Sequence, residues 1–363
     1  MEQIRYGIVG CGGIGETHAE AVEAAEGATL VACANRSIEG AREFAEDYDL
    51  EAAYDDVTEM VEDSDVDAVS VCTPSGTHAD VTIEAAEAGA DVLCEKPLAV
   101  YADRMDRMIA ACEEAGVTLA GVFQERFEPA TRRALDAIEA GDLGDVVIGD
   151  AQVKWFRPQA YYDGAAWKGT RELDGGVLLS QAIHTIDRLQ WLMGGIESVR
   201  AATATHDRDL AAGCETTAAL ALRFENGALG TVSATTATKG GDDRIEINGT
   251  DGSMTLAGGD VTSFDVGTGE ETNYGAETTV VDVDVSPLSW GEGHALAVRD
   301  FVDALREGRE PAVPPAEARR AVDVILAGKA AEIRGEPVAV ADVRAGRIPE
   351  ANAGGPEANG GDS

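Results

Sequence analysis

Lysine is nearly missing from this 363-residue chain, which has five lysines among 28 basic residues against 67 acids, for a net charge of −39. Nucleic acid is thereby excluded as a partner, because phosphate binding needs a basic footprint that nothing here supplies. No run approaches the ~20 apolar residues of a membrane span. Met1 leads straight into a strand-like segment without a basic leader, so a soluble, cytoplasmic protein is expected. The six cysteines show no Cys-x-x-Cys pairing and the five histidines no metal-ligand spacing, so neither a disulfide framework nor a metal site is expected. Aromatic residues make up only 5% of the chain, so any cluster of them is informative.

Acid is what the chain has in excess, and it is spread along every segment rather than gathered in a tail. Such a surface stays hydrated where salt screens repulsion to a few Å, which points to a salt-loving, archaeal source. The length exceeds what one hydrophobic core comfortably supports, so two domains are expected.

From residue 1 to about 122, short β-branched runs (IRYGIVG, ATLVACAN, DAVSVCTP, DVLCE) alternate with helical patterns. That cadence predicts an α/β fold with a doubly wound parallel sheet. From 123 to 345 the texture changes to an α+β domain on a large, mainly antiparallel sheet, with ENG and TDG as hairpin turns. One amphipathic helix is expected over about 176–193, and two late helices over about 292–307 and 316–334. Residues 346–363 are read as a disordered acidic tail.

Gly10, Gly12 and Gly15 form a Gly-x-Gly-Gly-x-Gly turn directly after the first strand and at the start of a helix. In that context backbone approaches a pyrophosphate and the helix N-terminus faces it, so a dinucleotide site is expected. After the second strand, where an acid would take the ribose 2′-hydroxyl, the chain has Asn35-Arg36-Ser37 with Arg42 beyond. A guanidinium there suits a 2′-phosphate, which favours NADP over NAD. The plainer reading of Arg36 is a solvated loop charge.

Three further motifs are VCTPSGTH (Val71–His78), CEKPL (Cys94–Leu98) and LDGGVLLSQAIHTIDRLQWLMG (Leu173–Gly194). Together, over about residues 4–340, the chain resembles the Gfo/Idh/MocA family of sugar and inositol oxidoreductases. The resemblance implies a dinucleotide held by Gly10, Gly12, Gly13, Ile14 and Gly15, by Asn35, Arg36 and Ser37, and by Thr73, Pro74, His78, Glu95 and Lys96. It implies that Lys96 meets nicotinamide and substrate hydroxyl, and that His184 is the acid/base residue. An ammonium at Lys96 would stabilise oxyanion character as hydride leaves, and an imidazole takes a proton near neutrality. Asp187 lies three residues on, on the same helical face, where it could hold the imidazole, bind substrate or serve structure. Many members carry Asp four residues before the histidine, whereas this chain has Ser180, expected to meet substrate.

Trp155–Gly169 gathers Arg157, Tyr161, Tyr162, Trp167 and Lys168 in a loop-like run. It resembles a pattern lying over the substrate pocket in sugar-acting members, so Arg157, Tyr161, Tyr162 and Trp167 are candidate substrate contacts. A core or interface cluster is the alternative, and Arg126 could tie the domains together. The expectation is an NAD(P)-dependent oxidoreductase of a sugar, polyol or sugar derivative, assembled as a homodimer or homotetramer. Rival readings are redox-neutral sugar chemistry with tightly held cofactor and a non-catalytic nucleotide sensor. A methyltransferase is a third, disfavoured by Asn35 where an acid is wanted.

Overall fold

Strands whose residues are apolar on both faces belong between two layers of helix, and the first third of the chain has four of them. The computed structural model describes residues 3–351 apart from 212, 273 and 274. Its first unit runs β1 (Ile4–Val9), α1 (Gly13–Ala24), β2 (Ala28–Ala34), α2 (Ile38–Asp47), β3 (Ala52–Tyr54), α3 (Val57–Asp63), β4 (Ala68–Val71), α4 (His78–Glu87), β5 (Asp91–Cys94), α5 (Ala102–Ala115) and β6 (Leu119–Gly121). The strands form one parallel sheet in the order β3-β2-β1-β4-β5-β6. This doubly wound order reverses between β1 and β4, and ligands bind outside the carboxyl ends of the strands at that point.

The second unit contains α6 (Pro129–Ala140), β7 (Val146–Lys154), α7 (Gln159–Asp163), α8 (Val177–Ser180), α9 (Ile183–Met193), β8 (Ile196–Ala204), β9 (Thr217–Phe224), β10 (Leu229–Thr235), β11 (Asp243–Gly249), β12 (Gly252–Ala257), β13 (Asp260–Thr272) and β14 (Gly275–Val280). It is completed by α10 (Trp290–Glu307), α11 (Pro315–Arg334), β15 (Val338–Ala339) and α12 (Val340–Arg344). Its sheet, β14-β13-β12-β11-β7-β10-β9-β8-β15, is antiparallel except for the β7–β10 pair. ENG and TDG make the β9–β10 and β11–β12 hairpins, as expected. Strict alternation in β9 buries Ala218, Leu220, Leu222 and Phe224 and exposes the residues between. The opposite face of this sheet carries small and polar groups such as Ala219, Ala221, Thr231 and Ser233.

Four local expectations need correction. The helix expected over 176–193 is broken at Gln181 and Ala182 into α8 and α9. There the Ser180 hydroxyl bonds back to the Gly176 carbonyl at 2.8 Å, competing with the helical ladder. The aromatic run is not all loop, since α7 lies within it. The late helix α10 returns to the first unit, where Val298, Phe301 and Val302 pack with Tyr6, Ile8 and Val22 in one core cluster. Finally, Ile348 and Ala351 are buried in the main core, so order extends past residue 345, while 352–363 lie outside the described residues.

Candidate active site

The glycine turn connects β1 to α1 at the sheet's switch point. Gly10 has φ +102°, and a Cβ there would sit 2.8 Å from the main chain of Cys72. A Cβ on Gly15 would lie 2.1 Å from the Gly10 carbonyl oxygen, so α1 packs against the turn only without a side chain. Gly12 and Gly13 are the reverse case: both are exposed, and a Cβ would meet nothing within 4 Å. That open cradle before the N-terminus of a 12-residue helix fits a pyrophosphate. Ile14 is half-buried in the first turn of α1.

After β2, Asn35 is half-buried and Arg36 exposed, and neither Arg36 nor Arg42 is ion-paired among the described residues. Ser37 caps α2, accepting from the Gly40 amide at 3.3 Å, so its hydroxyl is partly committed to the helix. Thr73 and Pro74 follow β4, where the Thr77 hydroxyl donates to the Pro74 carbonyl (2.7 Å) and shares a second bond with the Thr73 hydroxyl (2.9 Å). His78 differs from expectation. It is buried and bridges the Pro97 and Thr73 carbonyls at 2.7 Å each, bracing the two loops rather than facing a cofactor.

Lys96 stands just beyond β5. Its ammonium donates to the Ser180 carbonyl at 3.1 Å, its one protein acceptor among the described residues. Three N–H groups with one acceptor leave two for a ligand. Burial lowers the proton affinity of this amine, while the negative charges of Glu95, Glu125 and Asp174 hold it up. Ser180 therefore meets Lys96 through its main chain, its hydroxyl being taken by Gly176.

His184, in the first turn of α9, is buried. Its Nε2 lies 3.5 Å from the Gln124 amide, and its Nδ1 has no partner. Burial, and after it the charge of Lys96, push its pKa well below the ordinary imidazole value. A neutral ring results, its Nδ1 buried without a partner among the described residues. Asp187 does not hold this ring. It is clasped by Arg126 through two bonds of 2.7 and 2.6 Å, and Arg126 also reaches Glu317 at 3.3 Å and lies over Trp191 at 5.0 Å. The pair ties the turn after β6 to α9 and α11, so Asp187 is a framework residue rather than a substrate contact.

Arg157 and Lys168 flank Tyr161, 5.1 and 4.0 Å from its ring centre, and neither is ion-paired among the described residues. Arg157 donates to Gln181 Oε1 (3.2 Å), and Gln181 Nε2 contacts the Ser180 carbonyl at 3.3 Å, the same oxygen that receives Lys96. This chain of bonds brings Arg157 and Tyr161 to the lysine. Trp167 is half-buried beside Lys168, 5.9 Å away. Tyr162 is instead buried and bonded to Thr236 at 2.8 Å, so it packs the wall and offers nothing to a ligand. A cavity of about 360 Å³ lined by Tyr101, Arg171, Leu179 and Lys329 is separate, touching neither Lys96 nor His184.

Gln124 and Glu125 escaped notice, although they adjoin Arg126 in QERFEP. Burial raises Glu125 to about 7. Glu95, expected to meet the cofactor, is buried between His18 (3.1 Å) and His294 (3.3 Å), a grouping that no spacing announced.

A glycine cradle, a half-buried lysine and a neutral imidazole thus converge where the two units meet. Residues 4–123 match the oxidoreductase family with an NAD-binding Rossmann fold, and residues 131–255 match the Gfo/Idh/MocA C-terminal domain. The chain belongs to the Gfo/Idh/MocA family. Among its relatives, the myo-inositol 2-dehydrogenase of Thermotoga maritima is 34% identical over 69% of this chain and 74% of its own. The D-xylose 1-dehydrogenase (NADP⁺) 2 of Haloferax volcanii is 30% identical over 88% and 95%. The WlbA dehydrogenase of Bordetella pertussis, solved with NADH and UDP-GlcNAcA, superposes with a TM-score of 0.82 at 31% identity, covering 93% of this chain and 99% of that one. As a Gfo/Idh/MocA oxidoreductase, the chain binds a nicotinamide dinucleotide in its first unit. No helix of the described residues is long and apolar enough to cross a membrane.

Proposed function

We propose that this Gfo/Idh/MocA enzyme transfers hydride between a nicotinamide dinucleotide and a CH–OH carbon of a sugar, polyol or sugar derivative. The observation that carries the reading is Lys96, whose ammonium has one protein acceptor and two free donors beside the neutral ring of His184. The nicotinamide, when bound, takes up or gives the hydride. The protein's part is position and charge. Lys96 donates to the substrate oxygen and stabilises the negative charge that develops there. His184, held neutral, is the group assigned to accept the hydroxyl proton. Arg157 and Tyr161, linked to Lys96 through Gln181 and the Ser180 carbonyl, are assigned to the rest of the substrate site together with Trp167, the aromatic faces suiting a sugar ring. The relatives named above are a myo-inositol dehydrogenase, a D-xylose dehydrogenase and a dehydrogenase solved with UDP-GlcNAcA, in keeping with a hydroxylated ring.

NADP is the proposed preference, because Arg36 and Arg42 form no ion pair among the described residues and the residue directly after β2 is Asn35 rather than an acid, the nearest carboxylate, Glu39, being bonded to Ser37. The acid-rich surface fits a halophilic archaeal cytoplasm, and the open face of the second sheet, where Ile148 and Leu229 are exposed among small and polar groups, fits a homodimer or homotetramer. Absorbance at the reduced-nicotinamide band in multimolar KCl, with NADP⁺ or NAD⁺ against aldoses, inositols and uronic acids, tests the reading. Reduction with a member of the panel, faster with NADP⁺, is expected. Silence across the panel would overturn it.

A further inference from the structure

Glu95 is almost sealed from solvent, yet both its oxygens are used. Oε2 accepts from the main-chain amide of Lys96 at 3.1 Å. Oε1 accepts from His18 Nε2 at 3.1 Å and lies 3.3 Å from His294 Nε2. The partners come from three elements: His18 from α1 behind the dinucleotide turn, Glu95 from the end of β5, and His294 from α10. Serine and tyrosine extend the cluster, with His18 Nδ1 2.8 Å from the Ser70 hydroxyl and that hydroxyl 2.9 Å from Tyr6.

The partners restrict where protons sit. His294 Nδ1 lies 2.8 Å from the Trp290 carbonyl, an acceptor only, so Nδ1 carries hydrogen. Its Nε2 lies at ion-pair distance from Glu95 Oε1, where the carboxylate favours a second proton on the ring. On the other side, the Tyr6 and Ser70 hydroxyls share one bond, Ser70 and His18 Nδ1 another, and His18 Nε2–H donates to Glu95.

We infer that Glu95, clamped by His18 and His294, is a positioning residue that fixes the main chain of Lys96 and sets a permanent negative charge beside its ammonium. The inference rests on the proposed role of Lys96. Burial alone would raise the Glu95 carboxyl, but the two imidazoles outweigh it and hold it well below the usual carboxylate range. Burial would lower His294, yet its bond to Glu95 carries it above the usual imidazole value. The other charges facing Lys96 are Glu125 from the turn after β6 and Asp174 from the segment before α8, with His184 and His294 as its titratable neighbours.

The test is the acetic-anhydride reactivity of Lys96 against pH, read by mass spectrometry on substrate-free protein in KCl. Lys154, Lys168, Lys239 and Lys329 serve as internal references. Glu95→Gln removes the charge and keeps the shape, so the Lys96 labelling midpoint should move about one pH unit or more toward acid. Turnover should fall by about tenfold or more, with dinucleotide affinity within about threefold. His294→Ala leaves the Glu95 charge in place and removes a group whose cation opposes the charge on Lys96, so its labelling midpoint should stay level or move toward alkali. If Glu95→Gln fails to fold, His294→Ala decides on the same readout, and a midpoint that moves toward acid would overturn the inference. In Glu95→Gln, labelling like that of the native protein, or turnover within about twofold, would overturn the inference. So would a stoichiometric divalent ion in the purified protein that His294→Ala loses, since the three ligand atoms could also hold a metal. Labelling needs no turnover, so an enzyme silent on every sugar would refute the proposed function and leave this test standing.

Discussion

Replacing Lys96 by methionine keeps the apolar stem and deletes the charge, so it isolates what the ammonium does. Its one protein bond among the described residues goes to the Ser180 carbonyl, which leaves two donors for the oxyanion that the proposed reaction develops. A single preorganised donor at such a position contributes about 2.7–4 kcal/mol, which is about 10²–10³ in turnover. The loss should fall on kcat, with dinucleotide affinity, measured by nicotinamide fluorescence, nearly unchanged. A second consequence follows from the field at His184. After burial, the Lys96 charge is the largest influence pressing that imidazole down, so in Lys96→Met its pKa should rise, as followed by NMR of the ring protons. The deletion also leaves the Ser180 carbonyl with only the Gln181 amide at 3.3 Å, at a cost in stability below the about 1–3 kcal/mol of a fully unpaired group. Circular dichroism must therefore show the variant folded before its rate is interpreted. Turnover within about fivefold of the native enzyme, or a His184 titration that does not move, would refute the electrostatic role.

Arg36→Ala together with Arg42→Ala should weaken NADP⁺ at least about tenfold and leave NAD⁺ within about threefold, read from kcat/KM for each cofactor. Equal losses for both would remove the 2′-phosphate argument. Asp187→Asn strands the buried Arg126 with only the more exposed Glu317 as counter-charge, so unfolding by urea should show a loss of about 3–5 kcal/mol. A loss under about 1 kcal/mol would mean the pair does not hold the junction. Lowering KCl from multimolar to about 0.1 M lengthens the screening distance to about 10 Å, so repulsion across a surface of net charge −39 should lower Tm. A Tm that stays level across that range would exclude a salt-adapted surface.

Much of the frame was legible because local pattern and chemistry coincide there. Apolar runs alternating with helical periods demand a parallel sheet between helices, and the glycine spacing marks where backbone comes nearest a phosphate. ENG and TDG turned where expected, since a hairpin is set by a few consecutive residues. Lys96 and His184 were visible through their motifs, and Lys96 also by its rarity in a chain of five lysines.

Beyond that point the three-dimensional packing decided. Ser180 serves Lys96 through its carbonyl, and a main-chain group leaves no mark in side-chain identity. Tyr161 and Tyr162 are adjacent and chemically alike, yet one borders the pocket and the other bonds to Thr236 in the wall. Asp187 shares a helical face with His184 as spacing required, but Arg126 from another element takes both its oxygens. His18, Glu95 and His294 lie far apart along the chain and meet only because α1 and α10 pack together against the first sheet. Spacing along one helix or strand reports neighbours within that element. Which charges become partners across elements, and so which groups are left free to react, follows from how the layers pack.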